Sequence, residues 1–362
     1  MLKANLKKSC VLMVGFILIS VLQGCATVGG EKNADWGKEK YAIFTGDLMA
    51  GRRLEPIVAE KGYSYLFEKI APFISRGEIV FGNLEAPIVY TAGIPALETL
   101  AGKSIYLYSQ EGFAVGLKAA GYNILSLANN HALDYKENGL LQTMALLDKN
   151  NIRYNGVAKS RSGKPNLPVV FEVNGKKIGI LCYSQVSPEI FKASTKKYGT
   201  VPADAGVIGN DLEAAKKNVD FIVVYMHWGT EGQPVQKWQK KFSRFIINSG
   251  ADLIIGSHTH LFQDIELYKG KYIFYGLGNF VFDMESEATK YSAIVKMKIK
   301  NGNLIEPVLI PLYLNKYRPE PIVTAAVAEK FIATIKGEGV KVVKGEGLEY
   351  NIIEVAKTKK LK

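Results

Sequence analysis

Five apolar runs, each followed at once by polar residues, constrain the fold of this 362-residue chain more than any other feature. The runs are rich in β-branched and aromatic residues and do not alternate with polar ones, which is typical of strands buried on both faces. Longer amphipathic segments lie between them, and this alternation predicts an α/β layered architecture. The runs cover residues 41–45, 79–81, 124–127, 221–226 and 253–255.

Apolar residues at helical spacing predict two helices, each with one face directed at a core. The first set is Tyr63, Leu66, Phe67 and Ile70, and the second is Val235, Trp238, Phe242 and Phe245. Gly250 is the expected C-cap of the second helix. The dipeptide Asn174-Gly175 predicts a hairpin between residues 171–173 and 177–181.

Polar side chains follow each of the five runs. In an open α/β sheet, ligands bind beyond the carboxyl ends of the strands, so these side chains predict one shared polar basin. They are Asp47, Asn83, Glu85, Asn130, His131, Asp134, His227, Glu231, His258 and His260.

All four histidines of the chain belong to this polar set, and none falls in a predicted helix or near either end. A single histidine in such a place is often a satisfied core residue, but four together point to a metal. Imidazole and carboxylate ligands suit Zn, Mn or Fe(II), and carboxylate with amide oxygen also suits Mg. We therefore expect a divalent metal site, with one or two ions.

Six motifs in order resemble the CapA/PgsA family of bacterial capsule and poly-γ-glutamate biosynthesis proteins. They occupy residues 46–52, 82–87, 127–134, 227–231, 250–260 and 275–283. That family belongs to the calcineurin-like metallophosphoesterase superfamily. The resemblance therefore implies a four-layer α/β/β/α sandwich over residues 40–320, followed by a helix-plus-strand extension over 321–362.

The resemblance also implies roles for individual residues. Asp47 would be the first metal-binding aspartate, and Glu85 would stand where related phosphoesterases have a carboxylate that bridges two metals. Asn130 would ligate metal through its amide, and His131 would be the general acid. The other implied metal ligands are His227, His258 and His260. One departure is that Leu48 and Met49 follow Asp47, where a phosphoesterase usually has Asp-x-His.

Supporting roles follow for several neighbouring residues. Asp134 is expected to orient His131, and Glu231 to orient His227, because ligand histidines commonly bond a second group. Arg52 and Asn83 are candidates for substrate binding. For Arg52, a solvated arginine that opens a helix is an equally good interpretation.

The N-terminus predicts export. Residues 1–8 are basic, and 11–22 form an apolar run that is shorter than the roughly 20 residues of a membrane span. The tetrapeptide Leu22-Gln23-Gly24-Cys25 resembles a lipobox, which predicts a signal peptide over 1–24 and lipidation of Cys25. An uncleaved membrane anchor is the alternative. Residues 25–39 would be a tether, and the body would lie outside the cytoplasm, anchored to the membrane.

The chain carries a formal net charge of +12, which suits an anionic neighbourhood such as a phospholipid surface or an acidic polymer. The lysines are dispersed, so no nucleic-acid partner is expected.

The function that the sequence favours is capsule or poly-γ-glutamate-type polymer biosynthesis, with a metal-dependent hydrolase- or transferase-like site. The expected partners are an anionic polymer or phosphate-containing substrate, the membrane, and membrane polymer synthase subunits. Two alternatives stay open. One is a non-enzymatic accessory protein that binds the polymer or its synthase, and the other is an extracytoplasmic phosphoesterase unrelated to capsule.

Overall fold

The structure, a computed structural model, describes residues 39–90, 92, 99, 103–159, 165–191, 193 and 197–355. The predicted leader, most of the tether and Cys25 lie outside these ranges. Within the described ranges, no helix is both long enough and apolar enough to cross a membrane.

The strands and helices alternate along the chain as predicted. The strands are β1 (Lys40–Leu48), β2 (Ile79–Leu84), β3 (Ile88–Val89), β4 (Ser109–Gln110), β5 (Ile124–Ser126), β6 (Arg153–Asn155), β7 (Val157–Lys159), β8 (Val169–Val173), β9 (Lys176–Ser184), β10 (Tyr198–Thr200), β11 (Phe221–His227), β12 (Leu253–Ser257), β13 (Ile265–Tyr268), β14 (Lys271–Phe274), β15 (Asn279–Val281), β16 (Tyr291–Lys300), β17 (Asn303–Asn315), β18 (Arg318–Pro321), β19 (Gly337–Glu338), β20 (Val340–Lys344) and β21 (Tyr350–Glu354). The α-helices are α1 (Glu55–Lys61), α2 (Ala71–Ile74), α3 (Gly112–Ala120), α4 (Lys136–Lys149), α5 (Ala205–Ala215), α6 (Lys237–Ser249) and α7 (Ala325–Ile332). Short 3-10 turns span Arg52–Leu54, Tyr63–Leu66, Glu189–Phe191 and Glu287–Lys290.

Two large sheets form the body of the fold. The first has the order β20-β21-β17-β16-β1-β2-β5-β6, and the second has the order β19-β13-β14-β12-β11-β9-β8. The strands β1, β2, β5 and β6 are parallel, and so are β9, β11, β12 and β14. Each of the five predicted strands is present, and all five belong to these parallel blocks.

Side-chain alternation along β11 shows why its apolar run is continuous. Phe221, Val223 and Tyr225 point into the core between the two sheets. The alternate residues Ile222, Val224 and Met226 pack under α5 and α6 on the opposite face of the same sheet. The outer face of the first sheet packs against α1 to α4. The expected four-layer α/β/β/α sandwich is therefore confirmed.

The first predicted helix is broken in the structure. Its residues form a 3-10 turn over Tyr63–Leu66 and the one-turn helix α2. Pro72 is at the start of α2, where its missing N–H costs nothing, but it cannot continue a helix that arrives from the preceding residues. The apolar side chains still reach the core that covers the first sheet.

The second predicted helix is confirmed as α6, and Gly250 is its C-cap with φ 116°. The prediction of which face of α6 is buried is wrong, however. The buried residues are Gln239, Ser243, Ile246 and Ile247, whereas Trp238 and Phe245 are 38% and 37% exposed. Each of the two buried polar residues has a hydrogen-bonding contact, although Nε2 of Gln239 has none among the described residues. Gln239 accepts from the backbone N–H of Gln236, and Ser243 lies 3.0 Å from the Tyr275 hydroxyl.

A hairpin and the C-terminal strands complete the two sheets. The predicted hairpin joins β8 to β9 in antiparallel pairing, with positive φ at Asn174 and Gly175. Strands from the predicted extension pair with both sheets, since β21 pairs with β17 and β19 pairs with β13.

Candidate metal centre

The carboxyl ends of the parallel strands bring the polar set together. Asp47 of β1 pairs in register with Asn83 of β2, and His227 of β11 pairs with Ser257 of β12. The positions after these strands therefore lie along one edge of the two-sheet sandwich, as the sequence predicted for a shared basin.

Five buried side chains form what we call the Glu85 cluster: Asp47, Glu85, His227, His258 and His260. They make up two groups of three possible metal ligands, with the ligand atoms of each group within 4.8 Å of one another. One group is Glu85, His227 and His258, and the other is Asp47, Glu85 and His260. Glu85 belongs to both groups, so a single carboxylate lies between two places where a cation would fit.

Glu85 is fully buried, and neither of its carboxylate oxygens has a hydrogen-bond partner among the described residues. Burial, together with the negative charge of Asp47, raises the pKa of Glu85 well above its usual value. A buried carboxylate without partners costs several kcal/mol, of the order of the penalty for an unpaired buried charge. A divalent cation would remove both the missing coordination and the repulsion from Asp47.

His258 also has an unpaired polar atom, because Nδ1 is buried without a hydrogen-bond partner among the described residues. Burial and the nearby His260 and His131 lower the pKa of His258 to about 3. The ring is therefore neutral at physiological pH, with a lone pair available to a metal.

His227 faces the cluster through Nε2. This nitrogen is 2.7 Å from Oδ1 of Asn130 and 3.4 Å from Oε1 of Glu85. On the other side of the ring, Nδ1 is 3.2 Å from both the Tyr225 hydroxyl and the Ser257 hydroxyl. Burial, followed by the neighbouring His258, lowers the pKa of His227 well below its usual value. The amide of Asn130 is thus in place beside the cluster, where it was predicted to be a ligand.

The tautomer of His260 follows from its partner. The amide of Asn279 donates to the carbonyl of Thr289, and its oxygen therefore faces Nδ1 of His260 at 2.8 Å. Because an amide oxygen can only accept, Nδ1 of His260 bears the proton and Nε2 keeps its lone pair. This is the hydrogen-bond arrangement that metal-binding histidines commonly have.

The loop after β12 holds two of the imidazoles in unusual backbone conformations. His258 and His260 have φ values of 92° and 58°, both in the left-handed region that non-glycine residues rarely adopt. Asp47 helps to fix this loop, since its Oδ2 lies 3.4 Å from the backbone N–H of His258. Backbone strain of this kind concentrates at functional sites.

A second arrangement, which we call the His131 triad, consists of Lys103, His131 and Asp134. Nδ1 of His131 lies 2.7 Å from Asp134, and the ammonium of Lys103 contacts the other oxygen of Asp134. Asp134 also accepts from the backbone N–H of Leu107 at 2.7 Å. Burial lowers the pKa of His131, while Asp134 acts in the opposite direction. Both oxygens of Asp134 and Nδ1 of His131 therefore have partners within the protein.

Some predicted residues have other partners. The guanidinium of Arg52 forms an ion pair with Asp283, so it is not free to bind a substrate anion. Asn83 is fully buried, and its amide donates to Asp47 at 2.8 Å. Glu231 is exposed and is not among the partners of His227, which are Asn83, Glu85, Asn130, Tyr225 and Ser257. The prediction that Glu231 orients His227 is therefore wrong.

Two residues of the site escaped the sequence analysis. Lys103 lies in an irregular segment with no local pattern, and only the fold brings it to Asp134. Asn279 was visible in the Gly-Leu-Gly-Asn-Phe motif, but a turn residue and a ligand-orienting residue give the same sequence signal.

The comparisons with known proteins identify the family of the chain. The family model for the bacterial capsule synthesis protein PGA_cap matches residues 42–284. The chain belongs to this family. It is 33% identical to the PGA biosynthesis protein CapA of Bacillus subtilis, over 80% of this chain and 76% of that protein. It is 32% identical to the capsule biosynthesis protein CapA of Bacillus anthracis, over 86% and 77%. Among solved structures it is similar to the calcineurin-like phosphoesterase YfkN of Bacillus subtilis, with a TM-score of 0.44 and 17% identity, over 74% of this chain and 87% of that chain.

Proposed function

We propose that this PGA_cap protein works outside the cytoplasm in the synthesis of a capsular or poly-γ-glutamate-type polymer, anchored to the membrane through lipidated Cys25. We further propose that its Glu85 cluster holds divalent cations and supports a hydrolase- or transferase-like reaction. The Bacillus relatives are named for PGA and capsule biosynthesis, which supports the polymer assignment. The lipobox-like sequence before Cys25 supports the anchor.

The single observation behind the metal assignment is the position of Glu85. A fully buried carboxylate with two unpartnered oxygens, shared by two ligand groups, fits two cations better than one. Asp47, His227, His258 and His260 would complete the ligands, with the amide of Asn130 beside them. Nitrogen and oxygen donors of this mixture suit Mn, Zn or Fe, and also Mg where oxygen dominates. When bound, such cations act as Lewis acids that polarise a substrate oxygen and promote attack by water.

The His131 triad would supply the general acid of the reaction. Asp134 holds the Nδ1 proton of His131, so Nε2 is the ring atom left to donate a proton to a leaving group. Lys103 forms an ion pair with Asp134 and helps to hold that carboxylate where it orients the imidazole. In this arrangement the ring has a fixed tautomer before any substrate arrives.

The proposed substrate is an anionic polymer or a phosphate-containing group. Removal of residues 1–24, which hold three lysines and no acidic residue, lowers the net charge from +12 to +9 (12 − 3). This positive charge supports attraction of such a partner, and of membrane synthase subunits that hold the polymer. Because Arg52 is already paired with Asp283, we assign recognition of the anion to the cations of the Glu85 cluster instead.

One observation favours a non-enzymatic accessory role as the second candidate. Leu48 and Met49 are fully buried apolar residues at the positions where an Asp-x-His motif would supply another imidazole. A Mycobacterium tuberculosis relative, 24% identical over 76% of this chain and 85% of that protein, is named "Probable polyglutamine synthesis accessory protein".

The test is to replace His131 and Glu85 separately by glutamine in the producing cell and to measure polymer yield and chain length. A catalytic role predicts that both variants lose function, although His131→Gln keeps its metal. If His131→Gln makes normal polymer while Glu85→Gln does not, the metal has a structural or binding role and the accessory function is correct. Normal polymer from both variants would show that polymer synthesis does not require this site.

A further inference from the structure

The outer face of α6 combines exposed aromatic rings with lysines. Its exposed side chains are Lys237, Trp238, Lys241 and Phe245, and we call this set the α6 outer face. Trp238 and Phe245 are 38% and 37% exposed, and they are two turns apart on the same side of the helix. Contrary to the expectation that basic residues are dispersed, α6 contains four cations and no acid among its thirteen residues.

The aromatic rings of this face are held in position. Phe245 stacks on Phe242 with a centroid distance of 6.0 Å and an interplanar angle of 1°. Trp238 packs edge-on against the buried Trp228 at 6.2 Å. The exposed rings are therefore rigidly presented, so their contact with a partner would cost little conformational entropy.

The cations of α6 fall into two classes. Lys240 and Arg244 are paired with Glu338 at 2.9 and 2.5 Å, and Arg244 also reaches Glu266. Lys237 and Lys241, in contrast, have no ion-pair partner among the described residues. Lys269 adds another exposed cation at the C-terminal end of the helix, where it donates to Asn248 at 2.6 Å. The unpaired positive charges thus lie next to the exposed rings.

We propose that the α6 outer face docks on an anionic phospholipid bilayer. In that arrangement Trp238 and Phe245 enter the interfacial region, and the neighbouring lysines lie against the lipid phosphates. Amphipathic helices with basic residues beside Trp and Phe bind membrane surfaces in this way. This contact differs from the anchor at Cys25, and it does not depend on the metal or on the reaction at the Glu85 cluster.

Charge and shape favour a bilayer over other occupants. A polyanion such as polyglutamate would pair with the lysines but would leave both aromatic rings in water. A second copy of the chain across a two-fold axis would place the same lysines opposite one another, which is repulsive. An anionic bilayer satisfies the rings and the charges at once.

The sequence also places this face within reach of the membrane. Fourteen residues lie between Cys25 and Lys40 at the start of β1, and these fifteen steps along the chain limit the tether to about 50 Å when fully extended. A short tether keeps the domain at high effective concentration near the bilayer, so a weak surface contact is sufficient. Since Trp228 directly follows His227 and contacts Trp238, docking would also hold the candidate metal centre close to the membrane surface.

The experiment uses the full chain with Trp36→Phe, which leaves buried Trp228 and exposed Trp238 as its tryptophans. The protein is mixed with vesicles of phosphatidylglycerol and phosphatidylcholine, with and without brominated acyl chains, and tryptophan emission is recorded. We expect bromolipid quenching in the anionic vesicles and its loss on adding Trp238→Phe. Lys237→Glu with Lys241→Glu should weaken the quenching interaction by at least about 25-fold. Lys69→Glu with Lys149→Glu, the same charge change on the opposite helical layer, should leave it nearly unchanged.

Three results would overturn the proposal. The first is a chain that floats with the vesicles while Trp238 emission is insensitive to brominated lipid. The chain would then bind the membrane through its N-terminal anchor, and the α6 outer face would not dock. The second is soluble polyglutamate binding that needs the lysines but not Trp238 or Phe245, because the occupant would then be a polyanion. The third is a dimer in solution that dissociates on Phe245→Ser but not on Val115→Ser, the matched exposed residue on α3.

Discussion

The Glu85 cluster and the His131 triad lie next to each other but differ in how they satisfy their polar atoms. In the triad, Asp134 has partners on both oxygens, and His131 is held by one of them. In the cluster, both oxygens of Glu85 and Nδ1 of His258 have no hydrogen-bond partner among the described residues, and the nearest imidazole nitrogen, Nε2 of His227, is 3.4 Å from Glu85. Folded proteins rarely leave buried polar atoms unpaired. The difference supports the proposal that cations complete the cluster, whereas the triad has its partners within the protein.

The strongest test of this contrast is Glu85→Gln. If the cluster binds cations, Mn²⁺ at about 100 times its Kd should stabilise the wild-type protein by about 2.7 kcal/mol for each ion bound. The variant should lose this stabilisation, because the glutamine removes the charge that both ligand groups share. Urea unfolding with and without Mn²⁺ measures it. Glu231→Gln, at an exposed carboxylate, is the control and should keep the full effect. Equal stabilisation of Glu85→Gln and wild type would contradict the assignment.

His258→Ala sharpens the comparison within the cluster. His258 belongs to only one of the two ligand groups, so its loss should remove one cation and leave the other. Isothermal titration with Mn²⁺ should then give one ion per chain in place of two. Retention of two ions would show that His258 is not a ligand.

Asn279→Ala tests whether orientation matters where an imidazole has a partner. Without the amide, His260 loses the acceptor that fixes its tautomer, and one of the two sites should weaken about 10- to 100-fold. Asn279→Asp, which keeps an acceptor, should recover most of the affinity in the same titration. Identical titration curves for Asn279→Ala and wild type would mean that the tautomer is fixed by another group.

Lys103→Met tests the triad and should have the smallest effect. The variant leaves the buried Asp134 without its ammonium partner, which should lower the free energy of unfolding by about 1–3 kcal/mol. Lys69→Met, at an exposed lysine, should change it by less than about 0.5 kcal/mol. Metal stoichiometry should be the same in both. Loss of metal in Lys103→Met would show that the two regions are not independent.

The sequence predicted the five buried strands well because they depend on local patterns, whereas the four-layer arrangement was implied by the resemblance to a known family. Apolar runs identify strands, and the polar residues that follow them identify the carboxyl edge. The α6 face was predicted wrongly because apolar spacing gave no sign that two polar residues would be buried. Gln239 is bonded locally in the capping box at the start of α6, and Ser243 contacts Tyr275, which only the tertiary structure brings near. The 3-10 turn before α2 was missed since apolar spacing outweighed the signal of Pro72.

Contacts between distant segments were beyond local patterns. The pairing of Arg52 with Asp283 spans 231 residues, and Lys103 reaches Asp134 from an irregular segment. Motif resemblance could suggest that Glu85 is shared between two cations, but only the arrangement in space shows its oxygens unpartnered and within reach of both ligand groups.

The most direct test of the central claim is the metal content of the full chain after loading with Mn²⁺ and desalting, measured by inductively coupled plasma mass spectrometry. We predict about two ions per chain in the wild type and in His131→Gln, and less than about one tenth of that in Glu85→Gln. A wild-type chain that retains no metal, or a Glu85→Gln chain that retains as much as the wild type, would contradict the account.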